Sequence, residues 1–432
     1  MQRFATHSEH RHRRLVLLLM FGVFGLLSDA AGIEPDSTRH LFDFSSDRAQ
    51  VFVDPLLDLS WGPAAPGPAA VWRNVRGASF SAAWDSSWTA WGTLEEHQSL
   101  RVGADAHWTA MNGALPGWGR AKLGTQDAYR TADSLYIDVA RAEGAVKWQA
   151  PRGGWTVELG VWRWDWGLSE ATVGALGHRS AVAPSPRLRL ARSTETSTTW
   201  FESTKWVLDQ RGPLGETAES LFEWTRTAML GHEHKGPRGL SAGVVFGFTS
   251  LAEQARLKST GWTHPYETPW AGAHFRWSHH GWWLGGEVAA GWSRGFDSEG
   301  WTTEGIRFVA AAGKKWASGQ ITAEHLQQPG DFTTRAHQPT EHSLLTHAGL
   351  PVGSIWSQHT AIRMLQVVQR LRSNCQVVAG KNNFSDFVSA KWSIQPFEEW
   401  RIHLNANIIY WAEPNLTTAQ IGLTWSTGER NL

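Results

Sequence analysis

From residue 51 onward the chain is a succession of short stretches in which apolar and polar side chains alternate, broken by Gly, Pro, Asp, Ser and Asn. A period of two puts alternate side chains on opposite faces of a strand, so the pattern predicts β-structure. The clearest stretch runs from Trp400 to Trp411. There Trp400, Ile402, Leu404, Ala406, Ile408 and Tyr410 share one face, and Arg401, His403, Asn405 and Asn407 the other. The last stretch repeats the arrangement, with Ile421, Leu423 and Trp425 alternating with Gly422, Thr424 and Ser426. Further strands are predicted over 80–91, 100–108, 135–148, 155–166, 222–230 and 240–249. Others follow over 271–278, 282–292, 305–312, 321–326, 361–371 and 387–394.

Such lengths suit strands that cross a bilayer at a tilt, apolar toward lipid and polar toward a lumen. The predicted fold class is all-β: a single transmembrane antiparallel β-barrel of roughly 16–18 strands, an even number being expected in bacterial barrels. A soluble β-sandwich or propeller also alternates, but here the pattern fills the chain without a regular repeat, which favours the barrel. Residues 167–186 and 327–359 are rich in Gly, Pro, Ser and His and predict long loops on one side. Long loops on a rigid scaffold are where recognition commonly resides.

The N-terminus has a different pattern. Arg3, Arg11, Arg13 and Arg14 precede an apolar run from Leu15 to Leu27, and Ser28, Ala30, Ala31 and Gly32 follow. That order predicts a secretory signal peptide over 1–32, its apolar run too short for a comfortable transmembrane helix. A polar lead-in over 33–50 and a single barrel domain over 51–432 complete the expected organisation. No later run is long and apolar enough for a spanning helix. A membrane protein of this kind must close its sheet, because only helices and closed barrels satisfy every backbone polar group in lipid.

Composition sharpens this picture. The chain has 28 Trp against four Tyr, and 43 Gly. Trp suits places where apolar atoms meet a polar partner, as at a membrane interface. Forty basic and 40 acidic residues balance, which argues against nucleic acid as a partner. Cys375 is the only cysteine, so no intramolecular disulfide can staple the fold.

The densest cluster of unusual residues lies between Leu115 and Arg192. It opens with Leu115-Pro116-Gly117-Trp118-Gly119-Arg120-Ala121-Lys122 and Asp127-Ala128-Tyr129-Arg130-Thr131-Ala132. Trp162-Arg163-Trp164-Asp165-Trp166-Gly167 follows, then Gly177-His178-Arg179-Ser180-Ala181 and Pro184-Ser185-Pro186-Arg187-Leu188-Arg189-Leu190. In this order the segments resemble the Wzi-type capsule-assembly outer-membrane barrels. Val51–Leu56 resembles that family's first strand, and Gly349-Leu350-Pro351-Val352-Gly353 a late loop. The resemblance implies a non-catalytic, lectin-like protein that binds or organises surface polysaccharide at the outer membrane. Its partners would be that polysaccharide and outer-membrane lipid, and it would be a monomer without a cofactor.

Sugar rings stack on flat apolar faces, and carboxylates match the planar fork of arginine. On that chemistry the candidate ligand-binding residues are Trp164, Asp165, His178, Arg179, Arg187 and Arg189. The spacing of Trp162, Trp164 and Trp166 favours a different role, one strand face in an interfacial aromatic girdle, with the arginines pointing inward. His232 and His234, His279 and His280, and His337, His342 and His347 read as solvated residues without a metal motif. Glu95-Glu96 and Glu398-Glu399 point to opposite faces if they lie in strands, which does not make an acid/base pair. No nucleophile elbow or P-loop is present. The alternative functions are a porin or solute channel and, from another class, a secreted carbohydrate-active enzyme.

Overall fold

The computed structural model describes residues 40–425 apart from 66–69, 103–105, 107–108, 111–113, 116, 125–133, 169–183, 209–223, 252–266, 294–301, 328–343, 347–357, 369–372, 383–385, 398–401 and 413–415. The strands are β1 (Phe42–Ser45), β2 (Ala49–Ala65), β3 (Ala70–Trp84), β4 (Trp88–Val102), β5 (Ala114–Leu115), β6 (Gly119–Arg120), β7 (Lys122–Leu123) and β8 (Ser134–Gln149). Next come β9 (Trp155–Trp162), β10 (Ser185–Ser193), β11 (Ser197–Leu208), β12 (Trp224–Lys235), β13 (Leu240–Leu251), β14 (Glu267–His279), β15 (Trp282–Ser293) and β16 (Thr302–Trp316). The chain continues through β17 (Gly319–Gln327), β18 (Leu344–Thr346), β19 (Gln358–Val368), β20 (Ser373–Asn382), β21 (Asp386–Phe397), β22 (Ile402–Trp411) and β23 (Leu416–Trp425).

Strands β2–β4, β8–β17 and β19–β23 form a closed ring of 18 antiparallel strands. Closure comes from β23 on β2, with Leu57 opposite Trp425 and Trp61 opposite Ile421. Beyond that seam β1 takes over the edge of β2, pairing Phe42 with Val53 and Ser45 with Gln50. The predicted polar lead-in over 33–50 therefore includes β1 and the start of β2. Among the described residues, no helix is long and apolar enough to cross a membrane.

Alternation decides what each face carries. Phe80, Leu94, Leu159, Leu230, Phe246, Ile306, Ile362, Ile408 and Ile421 stand exposed on the outside. Their inward neighbours include Glu95, Arg187, Glu202, Arg307 and Glu324, all buried. One end of the ring has turns of two to five residues, such as 280–281 and 150–154, and the other has long connections, such as 103–133 and 163–184. At one two-residue turn His280 (φ 47°) and Gly281 (φ 79°) are both left-handed, the conformation that lets such a turn follow the strand twist.

Most predicted strands coincide with observed ones. The stretch over 80–91 does not: it is a hairpin in which β3 ends at Trp84 and β4 begins at Trp88, their rings stacked 5.6 Å apart. The three-residue turn, with Asp85 at φ 49°, is short enough for the aromatic alternation to run through it. Of the stretch over 100–108 only the first residues belong to β4, which ends at Val102; β10, β11, β20 and most of β3 were not predicted, and β18 lies within the loop predicted over 327–359. Most of the two predicted loops lies outside the described residues.

Replacing Ile362 by Arg puts a charge on the lipid side of β19. We expect a loss of about 2–4 kcal/mol in unfolding free energy in bilayers if the site lies near the midplane, less toward the interfaces. Urea unfolding in liposomes, followed by tryptophan fluorescence, measures it. An unchanged midpoint would contradict the assignment of that face to lipid.

Candidate functional site: the barrel lumen

The inner wall divides into three arcs. On the first, chain from the β4–β8 connection folds inward against β8. Ala106 and Leu115 are buried with Leu135, Ile137 and Val139, and Trp118, Ala121 and Leu123 pack on them. Arg141 fastens this segment: it donates to the Gly117 carbonyl at 2.8 Å, and its guanidinium lies 4.1 Å from the Trp118 ring centroid. Arg141 also pairs with Glu95 and, at 3.3 Å, with Glu143. The edge of His97 meets the Trp118 ring at 4.8 Å. Gly117 and Gly119, both at positive φ, let the chain reverse inside the barrel.

The second arc spans β10–β17. Beyond Trp162 the chain leaves the wall and turns into the lumen. Trp164 and Trp166 are 3% and 5% exposed and join Leu168 in a buried cluster with Trp200, Met229, Val245, Trp270, Trp283, Val309 and Leu326. Trp164 lies 5.5 Å from Trp270, and Trp166 lies 4.8 Å from His274. The Leu168 N–H donates to Glu287, and Gly167, at φ 108°, sits directly against that carboxylate. Arg163 anchors the near side on Glu143 at 2.6 Å. The girdle expectation for Trp164 and Trp166 is thus corrected. Leu159 stands on the outside and Trp162 pairs with buried Ser185, so the alternation of β9 aims the even positions, and with them Trp164 and Trp166, at the lumen and not at lipid.

The third arc, on β2, β3 and β21–β23, remains polar. Asp58, Ser60, Arg73, Lys391, Asn405, Asn407, Gln420 and Gly422 line about 390 Å³ of open space. Arg73 pairs with Asp58. Cross-strand register sets Ser60 beside Arg73, Lys391 beside Asn407, and Asn407 beside Gln420. Toward the long-loop end the same wall becomes apolar, with Ala64, Val71, Trp411 and Leu416 buried against Phe387 and Ile409.

The candidate residues from the sequence do not converge. Trp164 belongs to the buried cluster, while Asp165 beside it is exposed. Arg187 is buried in the wall, paired with Glu202 and donating to the Trp162 carbonyl at 3.0 Å. Arg189 lies over the Trp200 ring at 4.8 Å. His178 and Arg179 lie outside the described residues. The residues that do converge come from two distant stretches of the chain, Asp58 with Arg73 and Lys391 with Gln420, and carry no local motif. Only the polar face of Asn405 and Asn407 signalled them.

No family model and no curated protein matches the sequence. Solved structures do. OccK2 (OpdF) of Pseudomonas aeruginosa in complex with glucuronate aligns with a TM-score of 0.50 at 10% identity, over 90% of this chain and 98% of its own. OpdK of the same organism, solved with vanillate, aligns at 0.46 and 10% identity, over 88% and 98%. Acinetobacter baumannii OccAB4 aligns at 0.47 and 8%, again over 88% and 98%. The chain is an all-β barrel of the bacterial outer membrane. Its structural neighbours are outer-membrane porins, not capsule-assembly proteins, and this overturns the expectation of a lectin-like polysaccharide binder. The geometry agrees, since Trp164 and Arg187 are held inside the barrel where a surface polymer would not reach them.

Glu202→Ala would leave the Arg187 charge buried without its carboxylate. We expect a loss of about 3–5 kcal/mol, the usual cost of breaking a buried pair by removing one partner. The shift of the urea midpoint in detergent measures it, and a shift under a third of that size would show that Arg187 finds compensation elsewhere.

Proposed function

We propose that this chain is an outer-membrane channel that passes small polar solutes by diffusion, making and breaking no covalent bond. The observation that carries the reading is the inner wall. The ring is closed and apolar outside, and inside it two inward segments narrow the lumen while the arc of Arg73, Lys391, Asn405, Asn407 and Gln420 stays polar. A wide water-filled pore needs no inward segments, and a structural plug needs no polar chamber. The solute class we favour is a hydroxylated carboxylate. Glucuronate, held by OccK2, is one such molecule. In this chain Lys391 and Arg73 would attract the carboxylate and the amides would meet hydroxyls.

Purified protein in planar bilayers tests this. We expect discrete, steady conductance steps, a zero-current potential favouring anions in a salt gradient, and a reduced anion preference in Lys391→Glu. Absence of conductance steps, together with no solute uptake in liposome swelling, would overturn the channel reading. Steps that are cation-selective in both proteins would overturn the solute class alone. A second expected outcome concerns the narrowing: Trp164→Ala with Trp166→Ala empties part of the lumen and raises the unitary conductance. Unchanged conductance would show that the limiting constriction lies elsewhere.

A further inference from the structure

Among the described residues the outer wall is apolar along most of its circumference; polar positions interrupt it at Ser203 and Lys205 on β11 and, more extensively, on β3, β4 and β8. In two successive rows of outward positions there, five of the six residues are polar. One row is Asn74, Gln98 and Asp138, and the next is Arg76, Glu96 and Ala140, each set in register across the three strands. Arg76 Nη2 lies 2.7 Å from Glu96 Oε2, and Gln98 donates to Glu96 Oε1 at 3.3 Å. The Arg76 and Glu96 side chains remain 57% and 39% exposed. These rows do not mark the end of the lipid-facing surface. Trp72, Leu100 and Tyr136 form the next outward row on one side, and Ala78, Leu94 and Ala142 the next on the other. The ion pair is therefore set between apolar rows, where charge facing hydrocarbon is costly unless a partner covers it.

We propose that this face is the contact surface for a second copy of the same chain, packed about a two-fold axis. Charge argues for that occupant. Arg76 with Lys122 on the neighbouring β7 balances Glu96 with Asp138, so the patch carries both signs equally and complements itself when rotated by half a turn. The phosphates of a lipid headgroup would need a net positive cluster, and here two carboxylates would repel them. Shape argues the same way. Leu94 is 64% exposed and stands as a knob, with Ala78 and Ala142 on either side of it and Ala140 one pleat away. The knob of one copy fits the small-residue floor of the other, while Arg76 and Glu96 exchange partners across the axis in place of lipid. The assembly is independent of what the lumen conducts, and it revises the expectation of a monomer.

The mass of the purified full chain in mild detergent, with chemical cross-linking in intact outer membranes, tests this. We expect a dimer for the wild type, a monomer for Arg76→Glu and for Glu96→Arg, and a dimer again when the two changes are combined. The difference in gel mobility between boiled and unboiled samples confirms that each variant is folded. A wild-type monomer in both settings overturns the proposal, as does a folded Arg76→Glu that remains dimeric. A monomer that retains lipopolysaccharide through Arg76, and loses it in Arg76→Glu, would overturn it in favour of a lipid partner.

Discussion

A backbone N–H or C=O without a partner in hydrocarbon costs several kcal/mol, and a sheet of this size has a row of them at each free edge. The pairing of β23 with β2 removes both edges together. Much else about the molecule follows from that one seam. Closure forces an inside and an outside, alternation assigns every side chain to one of them, and the inside becomes a compartment small enough to be partly filled by the chain itself. The charged residues that a soluble sheet would leave in water are gathered on the inner wall, where Arg141, Arg163 and Arg187 find carboxylates because they have little else to meet.

The interior is organised by the same economy of space. Where β9 stops at Trp162 the next residues turn inward, and their indoles find Trp270 and His274 across the lumen. Where β4 ends, the following segment lies against β8 under the Arg141 clasp. Each inward fold covers an arc whose wall mixes apolar side chains with paired charges, Arg141 with Glu95 on one and Arg187 with Glu202 on the other. The arc left uncovered is the one whose inward residues are Asp58, Arg73, Lys391, Asn405 and Asn407. The chamber is what remains after the rest of the lumen has been used for packing.

The barrel itself was legible in the chain because its signal is local. The alternation of Ile402, Leu404, Ala406 and Ile408 with His403, Asn405 and Asn407 is enough to orient β22, and the structure places those faces as the pattern requires. Errors arose where a local rule continues past a change in the backbone. Trp84 and Trp88 sit on the same face of a hairpin, yet in sequence they read as positions of one strand. Trp164 and Trp166 instead continue the β9 face of Glu158 and Trp162, and nothing local in the chain says that this face, and not that of Val157 and Leu159, looks into the lumen. The chamber was invisible for another reason. Lys391 and Arg73 are brought together by the seam, so nothing near either residue in the chain announces the other. The capsule-protein resemblance rested on short segments, most of them between Leu115 and Arg192. The structure puts parts of that stretch to work as internal packing, a use that shared order along the chain does not reveal.

The seam also bears on how such a chain is made. Nearly every pairing in the ring joins strands adjacent in sequence, so hairpins can form as soon as their residues are available, with modest loss of loop entropy. The contact of β2 with β23 is different, because it joins the first and last strands of the ring. Until the last strand is present the sheet has two open edges, and in that interval it can pair with any other strand it meets. The wall is therefore complete only once β23 is in place. A truncation that removes only Leu416–Trp425 would take away a single strand from the ring, yet it would return the whole assembly to an open ribbon.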